Sequence, residues 1–64
     1  MYFLTLNSVY GNEVVVNMAL VETMNTEQHG DKPCSVLGFS GSENCVRVYE
    51  SLNEILQALP PGFA

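Results

Sequence analysis

The stretch CVRVYESLNEILQAL, residues 45–59, decides the fold, because its apolar pattern changes from that of a strand to that of a helix. Over Cys45–Tyr49 the two valines lie opposite the other three side chains, as in a β-strand. Ser51 and Glu54 have the spacing of a capping box, in which each side chain accepts from the other residue's backbone N–H. Apolar residues then recur at helical spacing and predict one buried stripe: Leu52, Ile55, Leu56 and Leu59. The two prolines that follow lack an N–H and end this helix.

Short runs of β-branched and aromatic residues upstream predict strands separated by turns. Tyr2–Leu6 alternates and Glu13–Asn17 contains three consecutive valines, so we interpret the two runs as a hairpin. Met18–Met24 contains helix formers, but it is short and uncapped, and its alternation favours a third strand. Cys34–Ser40 and Cys45–Tyr49 supply two more. We therefore predict an α+β fold, a small antiparallel sheet of about five short strands with one C-terminal helix packed on it.

Asn25–Pro33, with the sequence NTEQHGDKP, is predicted to be the longest polar loop. Loops on a rigid scaffold often carry binding residues. Its four charged or titratable side chains are therefore a candidate partner-binding site: Glu27, His29, Asp31 and Lys32. The alternative is an ordinary flexible hairpin tip with no binding role.

Length and composition indicate one domain, residues 1–64, that gains stability by association. A domain of about 60 residues buries only about 60% of its unfolded surface, so its own core is marginal. The hydrophobic share is 47% and the charged share only 14%, against about 25% charged in typical globular chains. The first two strands also carry apolar residues on both faces. We expect a homo-oligomer, at least a dimer, in which self-association covers three residues: Phe3, Val15 and Phe63.

The charge balance argues against nucleic-acid and membrane-surface binding. The net charge is −5, because the chain has seven acidic residues and two basic residues, Lys32 and Arg47. Neutralising phosphates or anionic lipids requires more lysine and arginine than this. No apolar run reaches the roughly 20 residues of a membrane span. The first residues lack the basic region of a signal peptide, so we expect a cytoplasmic protein with reduced thiols.

Candidate catalytic and metal-binding residues have simpler structural interpretations. His29, Asp31, Cys34 and Cys45 lack the paired spacing of zinc sites, and both cysteines are expected to be small buried hydrophobic residues. A single histidine leaves little from which to build a nucleophile–base pair. Glu50 and Glu54 lie one helical turn apart, but the capping box already explains one of them. We expect no cofactor, no metal and no enzymatic activity.

Several short motifs, spread over most of the chain, resemble the small flagellar and swarming-motility proteins of the FlbD/SwrD type. The motifs are Leu4-Thr5, Gly11, Asn17, Leu20-Val21-Glu22, Val36, Phe39, Gly41 and VYESLNEI at 48–55. Members of that family are short bacterial proteins with strands followed by a helix that opens with Glu-Ser. This chain departs from the pattern in a longer first turn, a longer segment around Asn25–Pro33 and the absence there of the usual Pro-Asp-Thr.

The segment VRVYESLNEILQALPPGF, residues 46–63, also resembles the middle of a LytTR-type DNA-binding domain. In that family the basic strands after the helix carry much of the DNA contact, and no such residues follow here. The resemblance implies a strand–helix fold and speaks against DNA binding.

Three functions follow as hypotheses. The first is a non-enzymatic interaction or regulatory module of a bacterium or its phage that acts through protein–protein contacts. The second is a truncated LytTR-like DNA-binding or transcription-associated module. The third is a phage-encoded acidic inhibitor of a host protein.

Overall fold

A computed structural model describes residues 2–59 and confirms an α+β fold with antiparallel strands and a C-terminal helix. The five strands and the helix follow in chain order: β1 Phe3–Asn7, β2 Glu13–Asn17, β3 Val21–His29, β4 Lys32–Phe39, β5 Cys45–Val48 and α1 Leu52–Ala58. A single turn of 3-10 helix, Met18–Leu20, connects β2 to β3.

The strands form two antiparallel sheets, β1–β2 and β3–β4–β5, where we expected one. A β-bridge between Ser8 and Val48 joins the sheets. Two backbone hydrogen bonds flank it: Tyr49 N–H donates to the Asn7 carbonyl, and Val9 N–H donates to the Arg47 carbonyl. The end of β1 therefore lies beside β5, which leaves β2 and β3 as the outermost strands of the described part.

The first hairpin is confirmed, with Leu4 opposite Val16 and Leu6 opposite Val14. These four side chains lie on the inner face of β1–β2, because alternate residues of a strand point to the same side. The core that they join includes six buried residues: Leu6, Val16, Met18, Leu37, Val48 and Ile55.

The predicted loop over Asn25–Pro33 is wrong, because β3 continues to His29 and β4 begins at Lys32. Only Gly30 and Asp31 connect the strands, and Gly30 has φ +66°. A glycine with positive φ at the first central position is typical of a tight two-residue hairpin turn. The polar residues 25–29 are strand residues of β3, and all but His29 are exposed.

The predicted third strand over Met18–Met24 is correct only from Val21 onward. The side chain of Asn17 accepts a hydrogen bond from Ala19 N–H at 3.1 Å and so caps the 3-10 turn that precedes the strand. Asparagine competes well for nearby backbone donors, which favours a turn over continued extended structure.

The helix begins as predicted. Glu54 N–H donates to Ser51 Oγ and Ser51 N–H donates to Glu54 Oε1, both at 3.1 Å. Ile55 is fully buried, but Leu56 is 54% exposed, so the predicted stripe is too wide by one residue. The two prolines expected to end the helix lie outside the described residues. No helix in residues 2–59 is long and apolar enough to cross a membrane.

The two cysteines differ from expectation in one respect. Cys34 is buried, as predicted, whereas Cys45 is exposed on β5, and both thiols are free. Cys45 alternates with Val46 and Val48, which pack in the core, so its side chain points to the other side of β5.

Candidate functional site

The register of β3, β4 and β5 gathers charged side chains on one face of their sheet. His29 pairs with Lys32, Glu27 with Cys34, and Val36 with Arg47. Since alternate residues of paired strands share a face, all six side chains lie on the same side of the sheet. We call this surface the aromatic–basic face and define it by six residues: Tyr10, Glu27, His29, Lys32, Arg47 and Tyr49.

Arg47 crosses the face from β5 to the edge strand β3. Its Nε lies 3.5 Å from Glu27 Oε1, and its Nη1 donates to Cys45 Sγ at 3.5 Å. The neighbouring Cys45 and then the Glu27 carboxylate raise the pKa of the Arg47 guanidinium above its ordinary value. Arginine is charged at every physiological pH, and these neighbours favour its charged form further. In so exposed a pair the ionic contact orients the side chains more than it stabilises the fold.

Two tyrosines meet the two other basic side chains of this face. The Tyr10 ring contacts the His29 ring edge to face, with centroids 5.8 Å apart. The ammonium of Lys32 lies 5.4 Å from the centroid of the Tyr49 ring, within the range of a cation–π contact. Tyr10 is 72% exposed and Tyr49 is 40% exposed, so much of each ring remains available to another molecule.

A small apolar cluster supports the aromatic–basic face from below. It consists of Val9, Cys34 and Val36, all buried. Ser8 Oγ accepts from Tyr10 N–H at 3.1 Å, and Tyr49 Oη donates to the Val9 carbonyl at 3.4 Å. The connection between β1 and β2 is thus held against the sheet, which places Tyr10 over β3.

The face concentrates the positive charge of an acidic chain. Lys32 and Arg47 are the two cations of the sequence, His29 is its one histidine, and the net charge is −5. All three meet here with a single acid, Glu27. The arrangement offers N–H donors and aromatic faces, which suit carboxylate, carbonyl and apolar groups of a ligand.

The sequence indicated part of this site. Glu27, His29 and Lys32 were predicted to be binding residues of a loop. The structure brings them together on the paired strands β3 and β4 instead. Asp31 lies apart from them in the exposed turn. The sequence analysis missed three members, Tyr10, Arg47 and Tyr49. Arg47 and Tyr49 alternate with the core valines of β5, and this alternation was the sequence signal that places their side chains on the side opposite the core.

No three His, Cys, Asp or Glu side chains in residues 2–59 converge as metal ligands. Glu50 and Glu54 serve structural contacts instead. Glu54 completes the capping box, and the Glu50 carboxylate accepts from Asn7.

A second exposed surface lies on the outer side of β1–β2. Phe3 is 53% exposed and Val15 is 67% exposed, and both share this side with Thr5, the partner of Val15 in the register. The third residue predicted for self-association, Phe63, lies outside the described residues.

Comparison of the chain with protein-family models, with curated proteins and with solved structures found no match.

Proposed function

We propose that the protein is a non-enzymatic interaction module that binds a protein partner through the aromatic–basic face. One observation carries the proposal: both cations and the histidine of a chain with net charge −5 meet two exposed tyrosines on one face. Tyrosine and arginine are enriched among the residues that dominate binding energy at protein interfaces. Rigid aromatic rings also lose little conformational entropy on binding.

The support beneath the face favours binding without rearrangement. Three strands and the β1–β2 connection supply its residues, and the buried Val9–Cys34–Val36 cluster fixes their positions. A preorganised surface avoids much of the ordering cost of association. The partner surface that fits it presents carboxylates or carbonyl oxygens next to an apolar patch.

We also propose that the module acts in the bacterial cytoplasm. The two free cysteines are compatible with a reducing compartment. The resemblance of residues 48–55 to motility-associated bacterial proteins supports the bacterial origin.

Site-specific photo-crosslinking in the cells that make the protein tests this proposal. A photoreactive phenylalanine analogue replaces Tyr10 in one variant and Glu43, which is also exposed but lies in the connection between β4 and β5, in the control. We expect a discrete protein adduct from position 10 that Lys32→Ser and Arg47→Ser together abolish. An adduct from position 10 that survives these substitutions at equal yield would show that Lys32 and Arg47 do not bind the partner and would contradict the proposal.

A mobility-shift assay at low salt separates this proposal from a DNA-binding role. Phosphate-driven binding is strongest at low ionic strength, so even weak affinity for DNA appears there. We expect no shift, and a shift that Lys32→Ser and Arg47→Ser abolish would overturn the proposal.

Self-association through the outer side of β1–β2 is a second proposed property. The exposure of Phe3 and Val15 on one side of a two-stranded sheet favours it. An apolar sheet face is stable in water when another surface covers it.

A further inference from the structure

A groove of about 460 Å³ runs beside the first half of β3. It is lined by residues 21–24 of β3, by Met18 and Ala19 of the 3-10 turn, and by Leu56 and Leu59. Leu56 is among the exposed large apolar side chains of the protein. This surface is separate from the aromatic–basic face, and no residue of that face lines it.

The lining residues show where the groove lies. Successive side chains of a strand point to opposite sides of its sheet, so a groove on one face would contact every second residue. Thr23 and Met24 pair with successive residues of β4 beyond the register shift, so their side chains point to opposite faces, and because both line the groove it follows an edge of the strand. β4 occupies the other edge through the pairs Thr23–Gly38 and Met24–Leu37. The groove must lie along the outer edge.

The outer edge of β3 carries few of the features that protect edge strands. β3 is nine residues long, and within the described chain it pairs with β4 alone. Natural edges are commonly blocked by lysine, proline, bulges or short strand length. β3 contains neither lysine nor proline, and its one irregularity is a register shift between Val21 and Thr23.

We propose that this edge and groove bind an extended, basic and apolar segment of a partner protein, which adds as a strand beside β3. Backbone hydrogen bonds to an edge strand supply affinity, and pockets for alternate side chains supply specificity. The groove offers such a pocket between β3 and α1. Met18 and Met24 adapt to different apolar side chains because thioether chains are flexible and polarisable.

Charge complementarity selects the partner. Glu22 lines the groove and is exposed, whereas Lys32 and Arg47 both lie on the aromatic–basic face. A lysine or arginine next to an apolar side chain of the partner segment therefore interacts with Glu22, and neither Lys32 nor Arg47 competes for that carboxylate. Residues 21–24 extend over roughly 13 Å at about 3.3 Å per residue, which matches a segment of about four residues.

Fluorescence anisotropy with the labelled peptide Lys-Val-Thr-Val-Thr-Val-Lys tests the groove. We expect saturable binding that Leu56→Lys weakens by about tenfold or more, because a charge that repels the basic peptide would replace an apolar contact. Gln57→Lys is the matched control, since it adds the same charge at the next position of α1, outside the groove, and leaves affinity unchanged. Absence of binding, or equal loss in both variants, would overturn the proposal.

Two N-methylated peptides test strand addition itself. One carries methyl groups on the valine nitrogens and the other on the threonine nitrogens. Because alternate N–H groups of a strand point to the same side, only one of the two sets faces β3. We expect one peptide to lose binding and the other to keep it. If both bind as well as the unmodified peptide, or both fail equally, the segment does not add as a strand.

A second copy of the chain is the alternative occupant of the groove. Light scattering of Leu56→Lys tests it: conversion of a dimer to a monomer would assign the groove to a second copy and overturn the proposal. The proposed function is tested separately, because Tyr10 crosslinking reports on the other face.

Discussion

The carboxylate of Glu50 accepts hydrogen bonds from both the backbone N–H and the side-chain amide of Asn7, at 2.9 and 2.8 Å. Asn7 is the last residue of β1, and Glu50 lies between β5 and α1. The carbonyl of Glu50 also accepts from Ser35 Oγ at 2.7 Å. One residue thus connects β1, β4 and the start of the helix, which are far apart in sequence.

Glu50→Ala is therefore expected to destabilise the protein. Hydrogen bonds to charged groups contribute about 1.5–3 kcal/mol each, and partial exposure lowers that figure, so we expect a loss of about 1–3 kcal/mol. Urea unfolding measures it. Glu43→Ala removes the same charge from an exposed turn and should change stability by less than about 0.5 kcal/mol. Equal midpoints for the two variants would contradict the structural role of Glu50.

The capping box supports a second prediction. Ser51→Ala removes the acceptor of the Glu54 N–H and should lower the free energy of unfolding by about 0.5–2 kcal/mol. Ser51→Thr keeps a hydroxyl and should retain most of the stability. Asn53→Ala, at an exposed helical position, is the control and should leave stability equal or slightly higher. Thermal unfolding followed by circular dichroism compares the three variants.

Gly38 packs closely against Thr23, its partner on β3. A Cβ added at Gly38 would lie 2.5 Å from Thr23 Oγ1, closer than packed atoms allow. Gly38→Ala should therefore destabilise the protein by about 1–3 kcal/mol, the usual cost of overpacking. Thr23→Ala in the same chain removes the clashing oxygen and should recover part of the loss. A double-mutant cycle in urea measures the coupling, and strictly additive effects would refute the clash.

Local patterns predicted the helix, its cap and the first hairpin because neighbouring residues determine them. The continuation of β3 over residues 25–29 was missed because these residues are all polar and show no apolar alternation. Pairing with the apolar β4 stabilises this part of the strand, and the pattern within one strand does not report such pairing. The turn itself carried a signal, since Gly30-Asp31 between two strands is typical of a two-residue turn.

The candidate site was only partly predictable for a related reason. Tyr10 and His29 are distant in sequence, and their contact depends on the bridge between Ser8 and Val48. No periodicity within one strand reports how two sheets join. The hydrogen bonds between Asn7 and Glu50 were also not predicted, because Glu50 belongs to neither a strand nor the helix.

The outer side of β1–β2 gives the last prediction. Phe3 and Val15 are large, apolar and more than half exposed, and β1 and β2 pair so that both point away from the core. Association that buries this apolar area would gain a free energy of about 25 cal/mol for every Å² removed from water. A symmetric dimer would cover the same surface on two copies at once.

Light scattering coupled to size exclusion, at micromolar protein, tests this expectation directly. We expect a mass near twice the 7.0 kDa of one chain. Val15→Lys places a charge in the proposed interface and should return the mass to that of one chain, without unfolding, because the position is exposed. Leu20→Lys is the matched control, since it replaces another exposed apolar residue outside the β1–β2 surface and should leave the dimer intact. A wild-type mass near 7.0 kDa would show that the outer side of β1–β2 stays exposed to solvent and that Phe3 and Val15 do not mediate self-association.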